Sequence, residues 1–243
     1  MRRGVLPSVI AGAALSLSVT ACGVADGDGP RPGVAAEVDG QTLELGKLDR
    51  AVQDYCDVLA ESPQGEAVPK AAVRADLARL WAQAVAVDEI AGDYGVDVPD
   101  ETVERAFVER AWGTLGEVDD DNYESFEWLT WVQLRVNDPL LAIGNQVVLE
   151  ETGQPADQPT AAARGTEAVQ AWLDDNELEL NPVFGQLDAD TGQFAGDGLS
   201  VAVSDEARDG VKNPPYSAEQ VAGLPATQRC GPAVAAPQEQ PGT

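Results

Sequence analysis

The stretch AEVDGQTLELGKLDRAVQD, Ala36 to Asp54, decides the fold. Asp39-Gly40 in its middle is a tight-turn pair, because both residues tolerate φ > 0. Val38 leads into the turn, and Thr42, Leu43 and Leu45 form a short extended piece beyond it. From Leu48 the apolar residues fall at Leu48, Val52, Tyr55 and Leu59, the 4-3-4 spacing of one helix face. The stretch reads as a small β-hairpin running straight into a helix. A lone hairpin is at best marginal in water, so a distant segment must pair with it. Leu178-Glu179-Leu180-Asn181-Pro182 alternates leucine with polar residues and reads as a short strand. It is the expected partner.

Between hairpin and partner the sequence is helical. The first helix is expected from Gly46, which stands at a cap position, to Glu61, ending at Ser62-Pro63-Gln64-Gly65. The second is expected over 69–93, with a stripe of Val73, Leu77, Leu80, Ala84, Val87 and Ala91 widened by Trp81 and Val85, and a stop at Tyr94-Gly95. The third follows Val98-Pro99-Asp100-Glu101, with Val103, Phe107, Ala111 and Leu115 as its stripe. The fourth is expected over 123–151 on Phe126, Leu129, Val132, Val136, Leu140, Ile143 and Val147. Asn137-Asp138-Pro139 interrupts it, so a kink or a pair of helices with Asp138 as second cap is expected. After the breaker-rich GQPADQPT (153–160), a fifth helix is expected over 161–176 with Ala168, Val169, Ala171 and Trp172 inward. The fold class is therefore mainly α: about five helices, with a small antiparallel sheet made by the N-terminal hairpin and a returning strand. Leu199, Val201 and Val203 could add another short strand, and the tail 231–243 reads as disordered.

The N-terminus gives an address. Arg2 and Arg3 precede an apolar run, Val5 to Val19, that is too short to span a membrane. Val19-Thr20-Ala21-Cys22 resembles the bacterial lipoprotein signal, in which the cysteine is lipidated and becomes the new N-terminus. The expectation is a signal peptide over 1–21, lipid on Cys22, a Gly-, Pro- and Asp-rich tether over 22–35 and a domain over 36–230. Two acyl chains anchor stably where one does not, which places the protein on the extracytoplasmic face of the cell membrane. The alternative is an ordinary secretory signal cleaved nearby.

Three cysteines less Cys22 leave Cys56 and Cys230, an even number in an oxidising compartment. A Cys56–Cys230 disulfide is expected; the alternative is two free thiols. A loop of this length gives an upper estimate of about 5 kcal/mol from chain entropy. No CxxC spacing points to a redox centre.

The 243 residues carry 42 acidic and 15 basic side chains, a formal charge of −27. Such a chain repels nucleic acid and anionic lipid head groups. Histidine is absent, which excludes His-dependent triads, HExxH zinc sites and ordinary haem ligation. Asp119-Asp120-Asp121 lacks the EF-hand spacing and reads as a solvated acidic turn. Asp188-Ala189-Asp190-Thr191-Gly192 lacks a third acidic ligand before its glycine and reads likewise as a turn. No metal or cofactor is expected.

The pattern V-D-G-x-x-L-x-L-x-x-L-D (Val38 to Asp49), four helices, a later helix with a closing strand, and N-P-x-F-G (Asn181, Pro182, Phe184, Gly185) is similar to the N-terminal domain of SurA-type and PrsA-type extracytoplasmic chaperones. The resemblance spans about Ala36 to Leu187. It implies that the closing strand returns beside the first one. Members often carry a parvulin prolyl isomerase domain between the fourth and the returning helix; here GQPADQPT occupies that place, and the histidines of a parvulin site are missing. The resemblance implies a surface-tethered binding protein for unfolded or partly folded exported polypeptides, without isomerase activity. A second reading is an envelope assembly protein with one dedicated partner. A third, an enzyme using paired carboxylates, has no motif to select its pair; the expectation is no enzyme. A peptide groove would need apolar walls. Of the five tryptophans, Trp81 and Trp172 lie on inward stripes, whereas Trp128 and Trp131, three residues apart on one helix, are the groove candidates.

Overall fold

The Asp39-Gly40 turn closes with φ 48° at Asp39 and 72° at Gly40, the doubly positive geometry of a type I′ hairpin turn. The computed structural model describes residues 31–62, 66–99, 102–181, 186–187, 194–195 and 218–232. Strands β1 (Val34–Val38) and β2 (Gln41–Glu44) flank the turn with Val38 opposite Gln41 and Ala36 opposite Leu43. Strand β4 (Glu179–Leu180) returns antiparallel to the far side of β1, with Ala36 opposite Leu180. The sheet order is β2-β1-β4. Asn181 fastens the junction twice. Its backbone N–H donates to the Ala35 carbonyl at 2.8 Å, and its Nδ2 donates to the Val34 carbonyl at 2.7 Å.

The protein is mainly helical around this sheet. Helix α1 (Leu45–Glu61) begins directly after β2, so Leu45 is helical rather than extended and Glu44, not Gly46, stands at the cap. Its inner face is Leu48, Ala51, Val52, Cys56, Val58 and Leu59, with Tyr55 half-buried beside it. After β3 (Val68–Pro69), helix α2 (Lys70–Ile90) passes through the middle of the molecule, followed by a 3-10 turn (Ala91–Tyr94). Gly95, at φ 64°, stops it as expected.

The buried residues in the first half of α2 are Ala75, Ala78, Trp81 and Ala82, while Val73, Leu77 and Leu80 are only half-buried. This departs from the expected stripe. Small residues let α2 sit close to its neighbours, and that turns the larger ones sideways. Helix α3 (Arg105–Trp112) is shorter than its spacing suggests. Val103 precedes it, Leu115 follows it, Ala111 is exposed, and the buried face is Val108 and Trp112.

Helix α4 (Tyr123–Thr152) runs unbroken through Pro139. The expected second helix capped by Asp138 is not formed. Helix α4 packs against α2 and α5, and Pro139 itself is buried. Asp119 closes the turn before α4, its Oδ1 accepting from the backbone N–H groups of Asp121 and Asn122 at 2.9 and 3.1 Å. The acidic run thus serves a turn.

Helix α5 (Gln158–Asp175) starts earlier than expected. The Asp157 carboxylate accepts from the Thr160 backbone N–H at 3.0 Å, which caps the helix; the Thr160 side chain and then this backbone bond hold that carboxyl below its usual range. Ala161, Gly165, Val169 and Leu173 are buried, Trp172 and Ala168 half-buried, and Ala171 is exposed, correcting the inward assignment of that residue. Helices α4 and α5 meet backbone to backbone. A Cβ on Gly144 would lie 1.8 Å from the Ala161 carbonyl oxygen, and one on Gly165 would lie 2.1 Å from that of Leu140.

A second ladder pairs β3 with β7 (Arg229–Cys230), placing Val68 opposite Cys230. Cys56 and Cys230 form a disulfide between α1 and β7, with Cα atoms 4.5 Å apart and 174 residues between them in sequence. Both sulfurs belong to the core. Strands β5 (Gln186–Leu187) and β6 (Phe194–Ala195) form a separate antiparallel pair, and α6 (Ala218–Gly223) precedes a short 3-10 turn (Ala226–Gln228). The signal region with Cys22, the tether up to Pro30, Pro182 to Gly185, the acidic turn at 188–192, the strand expected at 199–203 and the tail beyond Pro232 lie outside the described residues.

Candidate functional site

Among the described residues, two clefts between the helices stand out. The first lies where the N-terminal halves of α1 and α4 meet α2. Lys47, Trp81, Glu124, Glu127, Trp128 and Trp131 line about 430 Å³. A neighbouring hollow of about 210 Å³ shares Lys47, Glu124 and Trp128 and adds Arg50, Ala51 and Ser125. Trp128 and Trp131 are therefore brought to one cleft, but they present different surfaces. Trp128 is buried, at 8% exposed, whereas Trp131 is half-buried. Trp81, read as core, is buried and also borders this cleft.

The aromatic faces here already hold cations. Lys47 Nζ stands 5.5 Å from the centroid of the Trp128 ring, and the Arg135 guanidinium 4.5 Å from that of Trp131. Arg135 is a buried charge. Its Nη1 donates to Asp88 Oδ1 and to the Pro99 carbonyl, each at 3.0 Å, tying α4 to α2 and to the segment before α3. Arg50 pairs with Glu124 at 3.6 Å, and the Ser125 hydroxyl donates to Asp54. This cleft is polar and largely self-satisfied.

The second cleft is apolar. Tyr55 and Leu59 of α1, Val68 of β3, Val73 and Leu77 of α2, Trp112 of α3, Leu115 beyond it and Leu129 of α4 surround about 420 Å³. Glu66, Asp76 and Gln133 stand among them. Trp112 is fixed from behind. Its Nε1–H donates to Thr130 Oγ1 at 2.8 Å, and that hydroxyl donates to the Phe126 carbonyl at 2.6 Å. Tyr55 meets Trp112 edge-on, with centroids 6.0 Å apart. Burial raises the Tyr55 hydroxyl above its ordinary 10.0. The disulfide anchors two walls, because Cys56 lies between Tyr55 and Leu59 on α1 and Cys230 faces Val68 across the ladder.

Sequence reasoning passed over this site. Val73 and Leu77 read as core because their spacing matches a buried stripe, and nothing in the spacing separates a buried stripe from a cleft wall. A usable signal lay in the alanines Ala75, Ala78 and Ala82, which give α2 a competing inner face.

Among the described residues, no group of three or more Cys, Asp or Glu side chains is placed to hold a metal ion. No helix among them is long and apolar enough to cross a membrane. The fold and clefts define a helical body, closed by a small antiparallel sheet, that offers a solvent-facing apolar cleft. Comparison of the chain with protein families, with curated proteins and with solved structures finds no match.

Proposed function

We propose that the protein is a membrane-anchored, extracytoplasmic, chaperone-like protein that binds unfolded or partly folded exported polypeptides. The observation that carries this reading is the apolar cleft of about 420 Å³ between α1, α2, α3 and α4, walled by half-buried side chains. A cleft of this size falls within the roughly 300–1,000 Å³ of binding pockets. Its lining, mostly apolar with a few polar groups, is the usual chemistry of such pockets. Two readings of the sequence support it: the similarity of the hairpin and helices to the SurA-type and PrsA-type domain, and the lipoprotein-like Val19 to Cys22. In this reading Cys22 carries the lipid, the tether ends before Val34, where β1 begins, rather than at residue 35, and the protein has no prolyl isomerase activity.

The test is aggregation of a reduced, unfolded model protein, with and without the chain from Gly23 onward, which keeps every described residue. Suppression near stoichiometric ratio is expected. No suppression, with one protein recovered by crosslinking in the envelope, would replace this reading by that of an assembly protein with a dedicated partner.

A further inference from the structure

We propose that the apolar cleft selects polypeptide segments in which large apolar side chains are flanked by lysine or arginine. The proposal rests on the polypeptide-binding reading and adds the chemistry of what is bound.

Three observations carry it. The walls are apolar and stay open: Tyr55, Val68, Val73, Leu77 and Leu115 are each half-buried, packed on the core with one side toward the cleft. The charged side chains lining the cleft are both acidic. Glu66 and Asp76 are exposed, and no lysine or arginine is among the lining residues. Asp76 meets Arg79 at 3.5 Å, with both side chains well exposed; such a pair is weak, so an incoming cation can compete for the carboxylate. Finally, the whole chain carries a formal charge of −27, a field that draws basic segments in and turns acidic ones away.

The tryptophan cleft provides the contrast. Lys47 and Arg135 of the chain itself cover the faces of Trp128 and Trp131. Its aromatic faces are taken from within, and its lining is polar, so it offers an apolar side chain little. The apolar cleft lacks internal cations of that kind among its lining residues. An apolar side chain entering it removes area from water, the main favourable contribution. Flanking cations at Glu66 and Asp76 then set preference and encounter rate more than raw affinity.

The test uses the chain from Gly23 and three fluorescein-labelled peptides. One has a Phe-Leu core flanked by lysines, one has glutamates in place of the lysines, and one has serines in place of the core. Fluorescence anisotropy should show the lysine peptide binding about tenfold tighter than either other at low salt. Its lead over the glutamate peptide should shrink once ionic strength passes about 0.1 M. The double variant Glu66→Gln, Asp76→Asn, at exposed positions, should lose most of the preference for lysine over glutamate. Val73→Trp, which fills the cleft, should lose the lysine peptide altogether, with circular dichroism checking its fold. Equal affinity for the lysine and glutamate peptides, or an unchanged preference in the double variant, overturns the proposal. Aggregation suppression without a lysine preference leaves polypeptide binding standing and removes only this selectivity. Failure of both assays removes both.

Discussion

Tyr55 packs edge-on to Trp112 beside the apolar cleft, and burial raises its hydroxyl above the ordinary 10.0. The folded state therefore favours the neutral phenol, and the unfolded chain releases its proton first. The contribution to stability is unaffected below pH 10 and is lost as pH rises from 10 through the raised folded value. Tyr55→Phe should remove this part of the alkaline loss. Urea midpoints compared between about pH 9 and pH 11 would show the two curves diverging above pH 10. Tyr123 is also raised, by burial and by its hydrogen bond to Glu127, so the wild-type curve keeps a second component and the difference between the curves is the informative quantity. Parallel curves would mean that Tyr55 is not held neutral by the fold. At this scale the sequence was only partly legible. Trp128 and Trp131 were picked out and do border one cleft, yet the more open apolar walls, Val73, Leu77 and Leu115, were read as core. Tyr55 itself was read as one residue of a core stripe.

Helices α4 and α5 approach so closely that Gly144 and Gly165 leave no room for a methyl group against the opposing backbone. Gly165→Ala forces a Cβ into the Leu140 carbonyl, and backbone can yield only by separating the helices. A loss of about 3 kcal/mol is expected, at the upper end of ordinary overpacking, against a gain of up to about 1 kcal/mol from helix propensity. Urea unfolding measures the sum; a variant as stable as the parent would show that the two helices part freely. The elements themselves were mostly legible. The Asp39-Gly40 turn, the returning strand at Leu178 to Asn181 and the inner face of α4 follow from turn chemistry and period. Element ends were not. Helix α3 was placed by counting from Val103, which lies before it, so its face came out rotated away from Val108 and Trp112. Of the kink or second helix that Pro139 suggested, the second helix does not form. The Asp157 cap was hidden in a run that read as a plain connection. Strands β3 and β7, two residues each, carry no period to read.

Across the whole molecule, the longest tie is the disulfide between α1 and β7, expected from cysteine arithmetic and found with Cα atoms 4.5 Å apart. Its ring encloses α2 to α5 and the connections between them. A polypeptide cut once at any point between Cys56 and Cys230 still has both pieces joined by sulfur. Limited proteolysis should therefore give a nicked species that migrates as one molecule without reductant and separates into fragments only with it. Fragments that part on a non-reducing gel would show that the bond is not formed. In the proposed reading, with the chain tethered at Cys22, cleavage of the chain and release of its outer half become two different events, and the second must wait for a thiol.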